Sequence, residues 1–204
     1  MQFTNQKEEA PFAFYRERFI ASDPAEITKR LGVPFEHGAF TVTLLGTTYR
    51  ISHPDCVFTA DRENALGVTS LTVQVLLLRL LLLGKPAPET EDFKSFSELP
   101  WGEVYQKPFS GRILNRAAFT FGTRLNDFRR AAEKLGGKPI SQGDAAYEFS
   151  FTENYRLRLI LWEADDEFPP SAQVLYSANF PLGFSADDRV IAAETLLNSL
   201  KQLI

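Results

Sequence analysis

Residues 147–162 read YEFSFTENYRLRLILW, and the period of this stretch decides the fold class. Tyr147, Phe149 and Phe151 alternate with Glu148, Ser150 and Thr152, the two-residue repeat of a strand with one face turned to a core. After Glu153-Asn154, Tyr155, Leu157, Leu159 and Leu161 alternate with Arg156, Arg158, Ile160 and Trp162. Two alternating runs joined by so short a connection predict a hairpin. The second run becomes apolar on both faces near its end, so it begins at a wet edge and finishes covered.

Outward from this hairpin the pattern is helical on both sides. Residues 172–177 predict one more strand. A last helix opens at Ser185, with Asp188 three residues on, and buries Val190, Ala193, Leu197, Leu200 and Ile204. Upstream, residues 112–135 predict the longest amphipathic helix: Leu114, Ala118, Phe121, Leu125, Phe128, Ala132 and Leu135 make one stripe. Gly136-Gly137 and Pro139 stop it, and Gly122 weakens its middle by about 1 kcal/mol relative to alanine.

The first half repeats the logic. AFTVTLLGTTYRIS (residues 39–52) alternates on either side of Gly46-Thr47, which suits a type II′ turn and would set Phe40 opposite His53. Residues 56–58 suggest a third short strand. Before the hairpin, Asp23-Pro24 opens a two-turn helix that Gly32 and Pro34 close. A first helix over residues 8–21 is weakened by Pro11. LTVQVLLLRLLLLG (residues 71–84) is apolar all round but shorter than the roughly 20 residues a bilayer requires, so it predicts a buried helix with Arg79 reaching outward or to an acid. Residues 84–110 carry four prolines and many acids and read as a surface arm pinned by Phe93, Phe96, Leu99, Trp101, Tyr105 and Phe109. Strands joined by tight turns, without strand–helix–strand repeats, predict an α+β single domain, 1–204. Its mainly antiparallel sheet is built from two hairpins plus an extra strand. It packs against a buried apolar helix, a long amphipathic helix and a C-terminal helix.

Charge and cysteine usage narrow the function classes. The chain of 204 residues carries a net charge of −4, which disfavours nucleic acid as a partner. Charge is nonetheless uneven: six basic residues (Arg112, Arg116, Arg124, Arg129, Arg130, Lys134) against Asp127 and Glu133 give residues 112–134 a charge of +4. A solvated helix face accounts for such a stripe as well as a binding surface does. The single cysteine and the absence of a signal-peptide pattern predict a cytoplasmic protein, neither disulfide-stapled nor membrane-bound.

None of the phosphate-loop, dinucleotide, zinc-protease, nucleophile-elbow or paired-cysteine motifs occurs. Three constellations remain. His37, His53 and Cys56 fall near one end of the first hairpin, with Glu36 or Asp55 adjacent, and could form an open zinc site or an ordinary set of turn and packing residues. Glu163, Asp165, Asp166 and Glu167 form an acidic run whose spacing fails the calcium-loop pattern. In an extended strand Glu163, Asp165 and Glu167 would share a face with Asp166 on the other, and an exposed turn is the competing reading. Trp101, Tyr105, Phe96 and Phe109 could line a ligand cleft or clamp a partner, or simply pack the arm. Asp144, in QGDAA, is a lone acid at a turn.

SFSELPWGEVYQKPF, the helix closing in KLGG, then QGDAA and WEADDEFPPSAQVLYS together resemble the domain-of-unknown-function family 3786, bacterial and archaeal. The resemblance runs from the helix ending at Gly32 to the final helix. It singles out Asp144, Asp165, Glu167, Phe168 and Pro169. It departs at Ala164, where glycine is expected, and at Ser177, where an acid is expected. Relatives fused to a cysteine-rich iron–sulfur module imply a link to corrinoid or one-carbon chemistry through a partner.

The sequence thus predicts a non-catalytic cytoplasmic ligand-binding or accessory module without a resident cofactor, its partner a protein or a small molecule. A metal-assisted enzyme and a protein–protein assembly module are the alternatives. The candidate functional residues are Asp165, Glu167, Asp144 and Trp101, with His37, His53 and Cys56 as a metal set.

Overall fold

Both hairpins form, and each belongs to its own antiparallel sheet rather than to one shared sheet. The computed structural model describes residues 6–204. Backbone proximity groups the chain into two compact units, which divide between Pro86 and Ala87; Leu182–Phe184 returns to the first.

In the first unit α1 (Gln6–Ile20) and α2 (Pro24–Leu31) precede β1 (Phe35–Glu36), β2 (Ala39–Leu44), β3 (Thr47–Ser52) and β4 (Phe58–Ala60). The four strands pair in chain order, and α3 (Leu66–Thr69) and α4 (Leu71–Leu83) follow. α2 is bounded as the sequence predicts, with the Asp23 carboxylate accepting from the Ala25 amide at 2.8 Å and Gly32 at its exit. α1 runs through Pro11, which leaves one backbone carbonyl without its helical donor. α4 is buried on most sides, through Val73, Val75, Leu76, Leu77, Leu78, Leu80 and Leu81. Its last carbonyls are satisfied by Arg30, whose guanidinium donates to Leu81 O at 2.6 Å, to Leu82 O at 3.2 Å and to Gly84 O. Arg79 lies over the ring of Tyr15, 5.5 Å from its centroid.

The first hairpin corrects the expected register. Leu44 pairs with Thr47, so the turn is Leu45-Gly46, and Phe40 faces Ile51 rather than His53. Both turn residues have positive φ (47° and 71°), the type I′ geometry that follows the natural strand twist. The slip amounts to two residues, an even number, so Phe40, Val42, Leu44, Tyr49 and Ile51 keep the buried faces that alternation assigns them. The third strand lies two residues later than expected, at Phe58–Ala60.

The second unit contains β5 (Phe93–Ser95), α5 (Gly102–Phe109), a π-helical turn (Ser110–Asn115), α6 (Arg116–Phe121), α7 (Leu125–Lys134), β6 (Lys138–Pro139), β7 (Ala145–Thr152), β8 (Tyr155–Trp162), β9 (Ser171–Ser177) and α8 (Ala186–Lys201). Its sheet has the order β5-β9-β8-β7-β6. Residues 84–110, expected as an arm, supply the edge strand β5 and the start of a helix. Phe96 and Phe109 stack 4.1 Å apart in the core and, with buried Leu99, anchor this segment, whereas Trp101 and Tyr105, expected to pin it too, are exposed. The helix expected over 112–135 is two helices. One begins at Gly102 and passes through the π turn to Phe121; the other is α7.

The break falls at Gly122, and the reason is packing. A β-carbon at Gly122 would overlap Cβ of Pro170, so the helix end closes directly onto the segment entering β9. Beyond it Thr123 and Arg124 are exposed, and α7 begins anew at Leu125, with Phe128 against Tyr147 of β7, their rings 5.5 Å apart. α8 opens with a capping box between Ser185 and Asp188, as its sequence predicts.

Candidate cleft between the start of α7 and the sheet

The broken helix leaves an open cleft of about 440 Å³ in the second unit, lined by Thr123, Arg124, Leu125, Asn126, Asp127, Arg129, Asp144 and Glu163. Its volume is within the range of small-molecule sites, and all but Leu125 of its lining side chains are polar or charged. On the helix side, Arg129 donates from Nη1 to Asn126 Oδ1 (3.0 Å) and from Nη2 to the Asp144 carbonyl (2.7 Å). Arg124 donates to Thr120 O at 3.0 Å. The Asp127 carboxylate pairs with Arg130, one turn on along the same helix.

On the sheet side Asp144 is the hinge of the arrangement. Gly143 precedes it at φ 55°, so tight against β8 that an added Cβ would lie 2.6 Å from Leu161 O. This brings the Asp144 amide to Leu161 O (2.9 Å), and its Oδ2 accepts from the Glu163 amide (2.8 Å). One carboxylate thereby ties the end of β8 to the start of β7 and places Glu163 at the rim. Among the described residues no ion pair crosses the cleft: the Arg124 and Arg129 guanidinium groups and the Asp144 and Glu163 carboxylates line one space without bonding one another.

The remaining sequence candidates fall elsewhere. Asp165 builds a turn: Oδ1 accepts from the amides of Glu167 (2.9 Å) and Phe168 (2.7 Å), while its own amide donates to Phe168 O (3.0 Å). The strand does not extend through the acidic run, so Asp165 and Glu167 do not share a strand face. Trp101 is 75% exposed at the N-terminus of α5 and does not line the cleft. In the first unit, Nε2 of His53 donates to Phe19 O at 3.1 Å, and its ring stands edge-on to Phe19. His37 is exposed, and Cys56 is buried, its thiol pushed up to about 11 by desolvation. Among the described residues no group of three or more His, Cys, Asp or Glu is placed to hold a metal ion. None of the helices among them is long and apolar enough to cross a membrane.

Sequence reading singles out Asp144 and the acidic run, and it registers the positive charge of 112–134. It misses Arg124, Arg129 and Glu163 as members of one site. The one local signal for their convergence is Gly122, which the amphipathic stripe hides.

The fold and site define an α+β protein with a polar, mixed-charge cleft where a helix break meets one end of an antiparallel sheet. The chain belongs to the family described as Domain of unknown function (DUF3786), whose model matches residues 23–199. No curated protein and no solved structure matches it.

Proposed function

We propose that this chain is a cytoplasmic ligand-binding accessory module that holds a small polar molecule in the cleft at the start of α7. The observation that carries the reading is the set of charged side chains from separate elements that line one cavity without pairing across it. Arg124, Asp144 and Glu163 are exposed, so water satisfies them in the open cleft, and a ligand of matching charge would take the place of that water. Support for an accessory role beside an iron–sulfur or corrinoid protein comes from the family resemblance and the lone, buried Cys56, since the redox centre would then belong to the partner.

The test is retention. Purified protein equilibrated with a cytoplasmic small-molecule extract, desalted and analysed by native mass spectrometry, is expected to keep a low-mass compound that an Arg124→Gln/Glu163→Gln double variant loses. Equal retention by both proteins, or none by either, removes the reading.

A second reading, assembly, has one observation in its favour. Trp101, Val104 and Tyr105 recur at helical spacing and are all exposed. Sedimentation of wild type and Trp101→Asp checks self-association through this stripe: a concentration-dependent dimer absent from the variant supports it, and a monomer throughout excludes it.

A further inference from the structure

The sign of charge in the cleft is divided by structural element, and the division specifies a ligand class. The helix side presents the guanidinium group of Arg124, with that of Arg129 already bonded to Asn126 Oδ1 and to the Asp144 carbonyl; its one carboxylate, Asp127, is engaged by Arg130. The sheet side presents only carboxylates, from Asp144 and Glu163. A simple dianion would meet two carboxylates, and a simple dication would meet two guanidinium groups. A neutral polyol would leave both sets of charges unanswered. Only a molecule carrying both signs at opposite ends completes the two sides at once.

We infer that the cleft binds a small amino-carboxylic acid, its carboxylate on the helix side and its ammonium group on the sheet side; this rests on the cleft being a ligand site. Planar guanidinium suits a carboxylate because it can donate two parallel N–H bonds. Among the described residues the Arg124 side chain makes one bond, to Thr120 O, which leaves donors for a ligand. The Glu163 carboxylate accepts no hydrogen bond from the described residues, and Asp144 keeps Oδ1 beyond the bond that Oδ2 makes. Two carboxylates of this kind match an ammonium group, which brings three donors. Leu125 is the one apolar lining residue, so the affinity comes from the charged ends, and the ligand's side chain is short or polar.

The experiment is a titration of the ¹⁵N-labelled full chain, following the amides of Arg124, Asn126, Asp144 and Glu163, with four probes: glycine or another α-amino acid, succinate, putrescine and glycerol. The amino acid is expected to shift these resonances saturably and the other three are not. Arg124→Gln and Glu163→Gln should each weaken the amino acid by about tenfold, the equivalent of one charge-assisted bond. Arg124→Gln also favours putrescine over the amino acid, and Glu163→Gln favours succinate. Saturable shifts from succinate, putrescine or glycerol instead overturn the ligand class while leaving the cleft as a site. If no probe shifts these amides, the class is again overturned, and extract retention then decides separately whether the cleft is a site.

Discussion

Gly122 and Pro170 touch so closely that a β-carbon on the glycine would overlap Cβ of the proline. This contact joins the end of α6 to the segment that enters β9, and it opens the cleft by forcing α7 to start afresh. Gly122→Ala gains helix propensity of about 1 kcal/mol and meets an overlap that costs about 1–3 kcal/mol, so a net loss of about 1 kcal/mol is expected in urea unfolding. Pro170→Gly removes the obstructing ring carbons but leaves Ala118 O 2.6 Å from the added Cβ. In that background the loss caused by Gly122→Ala should shrink, and a loss of the same size in both backgrounds would remove the proline contact as the cause of the break.

Asp165 builds a turn, and its variants separate that role from chemistry. Asp165→Ala should cost about 1 kcal/mol, because the amides of Glu167 and Phe168 both lose their acceptor. Asp165→Asn keeps an acceptor oxygen and should be close to neutral. Hydrogen exchange at those two amides should quicken in the alanine variant alone. Retention of a ligand in the cleft should be unchanged in both.

The contrast between Asp165 and Glu163 shows what local pattern can reveal. Alternation in residues 147–162 exposes the hairpin, and Asp23, Pro24, Gly32, Ser185 and Asp188 mark helix ends, because these signals act over a few residues. The register of β2 against β3 is less legible: burial of Leu45 is compatible with a left-handed turn that its side chain disfavours, and apolar packing decides the matter. The break at Gly122 depends on Pro170, which is distant in sequence. So does the meeting of Arg124 and Arg129 with Asp144 and Glu163. Each of these residues carries an ordinary local explanation, a solvated helix face or an acidic turn, and only the tertiary fold brings the two together. The assignment of the hairpins to separate sheets has the same origin, since alternation specifies a strand and its buried face but not its neighbours.

Alkaline pH should destabilise the fold in a defined window. Burial pushes the Cys56 thiol up to about 11 from 9.0 and the Tyr155 phenol up to about 12 from 10.0, and it raises Tyr49 and Tyr176 as well. The folded chain therefore holds protons that the unfolded chain has released. Stability is fully present below about pH 9 and is lost as the pH rises from 9 toward 12, on the order of 2 kcal/mol from Cys56 alone. Urea midpoints measured across this range should fall. Cys56→Ala should flatten the part between pH 9 and 10 and leave the tyrosine part in place; an unchanged slope would show that Cys56 does not contribute.

Trp101 occupies left-handed backbone (φ 64°), although it is 75% exposed and makes no helix-capping bond with its side chain. Its neighbours impose the conformation. The buried Arg189 guanidinium, its charge disfavoured by desolvation, donates to Pro100 O, and Gly102 sits where any side chain would collide with Phe96 O. Both constraints survive replacement of residue 101. At an ordinary helical position alanine is better than glycine by about 1 kcal/mol. Here the order should invert: Trp101→Gly relieves a left-handed cost of about 1–2 kcal/mol, whereas Trp101→Ala retains it. Thermal unfolding is expected to place Trp101→Gly above Trp101→Ala, with the alanine variant near wild type. The usual order, with alanine above glycine, would mean that this turn is not held from outside and relaxes when the side chain changes.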